Sequence, residues 1–171
     1  MEQPVVSGIM CDKNQAKITL KEVPDQPGIA ANIFEPLATA SISIDMIIQN
    51  VAQDGTTDLT FTVNRSEYAE AMKLLNDIAK ELNARDVVGD DTLAKIAIVG
   101  VGMRSHSGVA AKMFETLATE GINIELISTS EIKISVGVND KYLELAVRAL
   151  HKAFELEGDV TEETLSEAEE T

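Results

Sequence analysis

Gly28-Ile-Ala-Ala-Asn-Ile-Phe-Glu-Pro-Leu-Ala-Thr39 returns at an offset of 80 as Gly108-Val-Ala-Ala-Lys-Met-Phe-Glu-Thr-Leu-Ala-Thr119, identical at eight of twelve positions. The likeness continues, with Ile42-Ser-Ile-Asp-Met-Ile47 lying over Ile122-Asn-Ile-Glu-Leu-Ile127. Repetition at a fixed offset means one folding unit used twice, here a module of roughly 75 residues. Within it Ile29, Ile33 and Leu37 recur every four residues with Ala30 and Phe34 beside them, which is one apolar helix stripe. Pro36 falls inside that helix and is expected to kink or loosen it.

Outward from the helix the periodicity changes to two. Ala16 to Val23 sets Ile18 and Leu20 against Lys17, Thr19 and Lys21, which predicts a half-buried strand ended by the turn Pro24-Asp-Gln-Pro-Gly28. Asp45 to Asn50 predicts a short apolar strand. Gln53-Asp-Gly55 turns the chain, and Thr57 to Val63 alternates with Leu59, Phe61 and Val63 inward. Asn64 with Glu67 three residues on predicts a capping box for a helix with the stripe Tyr68, Ala71, Met72, Leu75, Ile78, Ala79 and Leu82. Asp86 to Asp90 is a brief last strand. The second copy starts at Lys95 to Val101. In it Lys133 to Val138 turns Ile134, Val136 and Val138 inward against Lys133, Ser135 and Gly137, and Tyr142 to Phe154 is helical.

The order is βαββαβ, an α+β, ferredoxin-like arrangement of antiparallel sheets with helices on one face. The second copy lacks a closing strand, while Val5-Val-Ser-Gly-Ile-Met10 is a spare one, so the N-terminal strand is predicted to complete the second module. The expected division is residues 1–14 as that strand, 15–92 as the first module, 93–155 as the second, and 156–171 as an acidic, disordered tail.

At 171 residues and 44% hydrophobic, the chain is long enough for two small cores. The net charge of −15 disfavours nucleic acid, and eight of the acids fall between Glu155 and Thr171 without a base among them. No apolar run is long enough to span a bilayer. Met1-Glu2-Gln3-Pro4 has neither the basic nor the apolar part of a secretory signal, and Cys11 is the single cysteine, so a cytoplasmic location is expected.

Catalytic constellations are scarce. Ser105 and His106 are neighbours without a third partner, a poor nucleophile pair. His151 reads as solvated on the charged side of a helix. Two histidines and one cysteine, far apart, make no metal site. Ile98-Val-Gly-Val-Gly102 resembles the start of a dinucleotide fingerprint, but Ser105 stands at the third glycine position. More informative are the loops that open the first helix of each copy, Asp25-Gln-Pro-Gly28 and Ser105-His-Ser-Gly108. A helix N-terminus offers N–H donors and partial positive charge to a carboxylate. A side chain such as Asp25 or Asp45 can hold an ammonium. The residues are compatible with a clamp for a free amino acid and equally with a plain capping turn.

At these residues the chain resembles a known family. Pro24-Asp-Gln-Pro-Gly-Ile29, Ile44-Asp-Met-Ile-Ile-Gln-Asn50, Thr56-Thr-Asp-Leu-Thr-Phe61, Gly102-Met-Arg-Ser-His-Ser-Gly108 and Ile122-Asn-Ile-Glu-Leu-Ile-Ser-Thr-Ser-Glu-Ile132 are similar to the regulatory half of bacterial aspartate kinase, a tandem of ACT domains. The resemblance covers about residues 1–155. It implies a feedback sensor for aspartate-family (lysine, threonine, methionine) biosynthesis that binds threonine, lysine or both where ACT units of two chains meet, with no cofactor or metal. By position, the effector site would use Asp25, Pro27, Gly28, Ile29, Ala30, Ser43, Ile44, Asp45, Gln49 and Asn50. The second surface would use Ser105, Val109, Ala110, Asn123, Ile124, Glu125 and Ser130. Implied partners are a second copy, the catalytic alpha subunit, or both, without nucleic acid or membrane. The family has Asn where Ser43 stands and often Pro where Ser107 stands, so the second site is expected to be weaker or only a dimer surface.

The Lys-Phe-Gly-Gly-Thr segment that the family uses for phosphoryl transfer has no counterpart, so no catalytic residue is expected in this chain. The alternative within the same fold is a valine-sensing ACT subunit like that of acetolactate synthase. An acylphosphatase-like hydrolase would need an Arg and Asn set around a phosphate loop, for which Arg104 alone does not suffice.

Overall fold

In the computed structural model, which describes residues 5–101 and 107–156, the chain forms two compact units. One is built from residues 14–92. The other joins the segment up to Lys13 with everything from Leu93 onward. Two long strands serve both units: β1 (Val5–Pro24) and β4 (Asp86–Val101). Ser7 Oγ donates to the Val99 carbonyl and Arg85 N–H to the Lys21 carbonyl, so the strands run in opposite directions.

In the unit of residues 14–92, β1 leads to α1 (Ile29–Thr39), β2 (Ile44–Val51), β3 (Thr56–Asn64), α2 (Tyr68–Glu81) and β4. The sheet order is β2-β3-β1-β4, with β1·β3 and β2·β3 antiparallel. Ala16, Ile18 and Leu20 stand opposite Val63, Phe61 and Leu59. Residues directly opposed in an antiparallel pair share a face. That face meets Ile29, Ile33 and Leu37 of α1 and Ala71, Leu75 and Ile78 of α2. Phe34 packs edge-on against Phe61 at 5.2 Å between ring centroids. Fully buried large side chains such as Ile18, Leu20, Ile33, Leu37 and Phe61 each contribute about 1.5–3 kcal/mol.

The other unit repeats the plan with α3 (Ser107–Thr119), β5 (Leu126–Thr129), β6 (Lys133–Asn139) and α4 (Leu143–Ala153). Its order is β1-β4-β6-β5. Ala94, Ile96 and Ile98 oppose Val138, Val136 and Ile134, the same register as in the first unit. Val109, Met113 and Leu117 cover them, as do Ala146, Val147 and Leu150. Val6, Ile9 and Cys11 of the N-terminal segment pack against this second core.

Helices α1 to α4 end alike. Ser41, Asn83, Gly121 and Glu155 adopt left-handed φ of 59°, 56°, 70° and 52°. The next N–H returns to a carbonyl of the last turn: Ile42 to Leu37, Ala84 to Ala79, Ile122 to Leu117 and Leu156 to His151.

Several local expectations need correction. The strands expected at residues 5–10 and 16–23 are one strand, because Gln15 does not break the ladder but pairs with Asn64 and is buried. The strands expected at 86–90 and 95–101 are likewise one. The capping box does not form: the Asn64 side chain accepts from Ser66 N–H and opens a short 3-10 turn (Arg65–Glu67), while Glu67 Oε2 takes the Ser43 N–H at 3.4 Å. Ser135 and Gly137, expected outward, are buried. His151 is half-buried, with Nε2 shielded from water and without a hydrogen-bond partner among the described residues. The acidic tail beyond Leu156 lies outside the described residues, as do Gly102, Arg104, Ser105 and His106. Among the described residues no helix is long and apolar enough to cross a membrane.

Candidate functional site

The loop between β1 and α1 is shaped by a bulge. The β1·β3 register shifts between Leu20 and Val23. Glu22 there takes φ 53° and its N–H is held by Asp58 Oδ1 at 2.8 Å. Bulges bend a strand and re-aim the chain beyond them. Just past this one, Asp25 N–H donates to the Gly55 carbonyl at 2.9 Å and ties the loop to the β2–β3 turn. Gly28 then opens α1 at φ 91° and ψ −8°, a conformation that strains any residue with a Cβ. No side chain caps this helix, and its first turn carries no acid. The end of α1 thus presents backbone donors and partial positive charge beside exposed Asp25, Pro27 and Ala30, with Ile29 anchored in the core.

The strand that flanks this end is β2, the edge of its sheet. Gln49 opposes Leu59 and Ile47 opposes Phe61, which places both on the helix-bearing face. Asn50 opposes Asp58 and Ile48 opposes Thr60 on the other face. Gln49 therefore faces the α1 side, whereas Asn50 offers its backbone there, its carbonyl accepting from Thr57 Oγ1 at 2.8 Å. A second bulge lies at Asp45–Met46, opposite Thr62, whose Oγ1 accepts the Met46 N–H at 3.0 Å.

The structure thus divides the ten candidate residues. Asp25, Pro27, Gly28, Ile29, Ala30, Gln49 and Asn50 gather at the β2–β3 turn end. Ser43, Ile44 and Asp45 lie at the other end of β2, near Val63. Asn50 lies five residue steps along the strand from Asp45, about 17 Å. One chain does not bring the two groups together.

The second surface shows the same division. Buried Val109 and half-buried Ala110 stand in the first turn of α3. Ser130, exposed in the β5–β6 turn, donates to the Lys133 carbonyl at 2.8 Å. Exposed Asn123 and half-buried Ile124 and Glu125 precede β5, with Glu125 N–H on the Gly137 carbonyl at 2.8 Å. Here the edge strand has four residues where β2 has eight.

Ile47 and Val51, outside the sequence-derived candidate set, flank Gln49 on its own face of β2 and are 54% and 67% exposed. The alternation Ile47-Gln49-Val51 was the available signal. Among the described residues no group of His, Cys, Asp and Glu converges for a metal ion. Cys11 is half-buried, and burial followed by the neighbouring Asp12 charge pushes its thiol pKa up, away from the nucleophilic thiolate.

Residues 18–80 and 96–154 each match the ACT domain family, so the two units form a tandem ACT protein. The chain is 60% identical over 157 residues to the aspartate kinase of Pseudomonas fluorescens (strain SBW25), covering 92% of this chain and 38% of that one. A crystal structure of aspartokinase alpha and beta subunits superposes with a TM-score of 0.82 at 55% identity, over 89% of this chain and all of the matched one. The ligand-free regulatory subunit of aspartate kinase from Thermus thermophilus does so with 0.82 at 43% identity, over 88% and 99%. The chain belongs to the aspartate kinase family, as its regulatory ACT region. It spans 38% of the length of the curated Pseudomonas and Stutzerimonas relatives it matches.

Proposed function

We propose that this chain senses threonine, lysine or both at sites shared between two chains, and relays occupancy to the kinase domain of an aspartate kinase. The observation that carries the proposal is the separation of the candidate residues to opposite ends of an exposed edge strand. Two copies of β2 laid antiparallel about a two-fold axis between Ile47 and Ile48 set Asp45 opposite Asn50 of the partner subunit. Such an isologous contact joins the two groups twice over, one site at each end. Ile47 and Val51 supply apolar surface for the contact.

In each site the α1 amides take the effector carboxylate. Asp25 and the partner's Asp45 hold the ammonium, and Gln49 reads a side-chain hydroxyl or amine. The two sensing domains are taken as residues 15–92 and 93–155, with 1–14 belonging to the second and 156–171 as an acidic tail. The second surface, with its shorter edge, serves mainly assembly. The partner is a second copy, the catalytic alpha subunit, or both, in the cytoplasm; phosphorylation of aspartate is the partner's chemistry. Charge-assisted hydrogen bonds contribute about 1.5–3 kcal/mol each. A tenfold shift between active and inactive arrangements needs about 1.4 kcal/mol of differential binding, so one such bond made in only one arrangement suffices.

Calorimetric titration of the intact dimer with threonine and with lysine tests the reading. Saturable binding of at least one, weakened at least tenfold (about 1.4 kcal/mol) by Asp25→Ala without change in the melting curve, is expected. Binding of valine alone would transfer the chain to a branched-chain sensor.

A further inference from the structure

The two modules pair their strands differently at one point. In the second, β4 and β6 match residue for residue from Leu93 opposite Asn139 to Val99 opposite Lys133, and the next N–H, that of Gly100, donates to the Ile132 carbonyl at 2.8 Å. In the first, Leu20 stands opposite Leu59 and Val23 opposite Thr57, so Lys21 and Glu22 together face Asp58. Matching the two registers sets Leu20 on Ile98 and Leu59 on Ile134, and therefore Asp58 on Lys133. The bulge belongs to the module whose loop carries Asp25. Across from it stands an anion, and the regular ladder of the other module has a cation in that place.

The core demands an extra residue here. Leu20 and Val23 both enter it although they are three positions apart, an odd step that a regular strand would send to opposite faces. Glu22 absorbs the mismatch at φ 53°, unfavourable for a residue with a Cβ, and its N–H donates to Asp58 Oδ1 at 2.8 Å. A carboxylate acceptor makes that bond charge-assisted. A lysine, as at position 133, has no acceptor to offer. On the other side of β1 the Arg85 N–H donates to the Lys21 carbonyl at 2.9 Å, and the Arg85 guanidinium pairs with the Glu22 carboxylate at 3.0 Å. With side chains 70% and 44% exposed, that ion pair contributes little. Asp58 is therefore the main tie on Glu22, three residues before Asp25.

We infer that Asp58 is a positioning residue for amino-acid binding: its carboxylate fixes the bulge at Lys21–Glu22, the bulge aims the loop that carries Asp25, and this tie separates the sensing module from the other. The inference rests on the effector site proposed above. Asp58 lies on the face of the sheet away from Gln49, so it acts through the loop and not by contact. A binding constellation needs its groups held to about 0.5 Å, which a loosened bulge does not provide.

The test uses the full isotope-labelled chain as Asp58→Ala, as Asp58→Asn, and as a deletion of Glu22 combined with Asp58→Lys, which copies the regular ladder of the second module. Amide hydrogen exchange reads the loop, and calorimetric titration with threonine and with lysine reads the site. In Asp58→Ala the Glu22 and Asp25 amides should exchange at least about tenfold faster while those of α2 and β6 keep wild-type protection. The Kd of the amino acid that the wild type binds should rise at least about tenfold. Asp58→Asn, whose Oδ1 still accepts, should stay within about threefold on both readouts. The deletion variant should melt like the wild type yet bind at least about tenfold more weakly. Unchanged Asp25 exchange or affinity in Asp58→Ala, an Asn variant as defective as the Ala one, protection lost equally in α2, or wild-type affinity in the deletion variant each overturn the inference. A wild-type chain that binds neither amino acid, with Asp25 exchange responding as stated, strikes the effector reading and leaves the placement of the loop by Asp58 standing.

Discussion

Ile47→Glu should weaken dimer formation while leaving the fold intact. Ile47 sits on the edge strand with 54% of its surface in water. Full burial of an isoleucine side chain contributes about 1.5–3 kcal/mol. Covering the exposed half therefore contributes about 1 kcal/mol, and an isologous contact uses it in both subunits, for about 2 kcal/mol. That alone raises the dimer Kd about 30-fold. Two carboxylates facing each other near the two-fold axis add repulsion. Because the residue is exposed within the chain, its own stability should change by no more than about 0.5 kcal/mol. Sedimentation equilibrium over a dilution series measures the dimer, and a circular-dichroism melt the fold. A Kd within about threefold of wild type, with the melt unchanged, would refute the assignment of β2 to the interface.

Three more outcomes rest on the packing. Ser41→Gly should stabilise the chain, since left-handed φ costs a non-glycine residue about 1–2 kcal/mol and the flexibility of glycine returns about 0.5–1; a thermal melt should rise by a few degrees. Gly137→Ala should destabilise by about 1–3 kcal/mol, because a Cβ there would stand 2.9 Å from Leu93 Cδ1 and 3.3 Å from Leu126 Cβ, and only the first can swing away; a lower urea midpoint with an unchanged slope is the check. The Asp90 carboxyl is held below its ordinary pKa mainly by the Thr92 hydroxyl at 2.5 Å, helped by the Thr92 N–H at 2.8 Å. Its contribution to stability is present above the ordinary carboxylate value and fades as pH falls through the lowered one, so Thr92→Val should move the Asp90 titration, read by carboxyl NMR, back upward.

Much of the architecture was legible because its causes are local and repeated. The stripe Ile29, Ile33, Leu37 and its echo Val109, Met113, Leu117 are buried as periodicity requires. The limits of the two long strands, β1 and β4, were not legible. Asn14-Gln15 and Gly89-Asp90-Asp91 carry turn-forming composition, yet the ladder passes through them, since the neighbouring strand satisfies their backbone. A Cβ at Gly89 would collide with the Tyr68 ring and hydroxyl, so any side chain there would have to displace them, a tertiary reason for a glycine that reads locally as a break. The capping box failed because a 3-10 turn consumes the Asn64 acceptor before α2 begins. At the candidate site the residue types were readable, but their placement was not. Strand direction puts Asp45 and Asp25 at opposite ends of β2, and the alternation of strand faces sets Asn50 against Gln49. Neither shows in one dimension.

The most direct measurement mixes two defective variants. On the proposed arrangement, Asp25→Ala and Asp45→Ala homodimers each lack one aspartate of every site. A heterodimer assembled from the two holds one site with both aspartates and one with neither. Calorimetric titration of purified heterodimers with the effector that the wild type binds should recover wild-type affinity at one site per dimer, half the wild-type stoichiometry. Heterodimers that stay silent, or homodimers of either variant that bind as tightly as wild type, would contradict a site built from two chains.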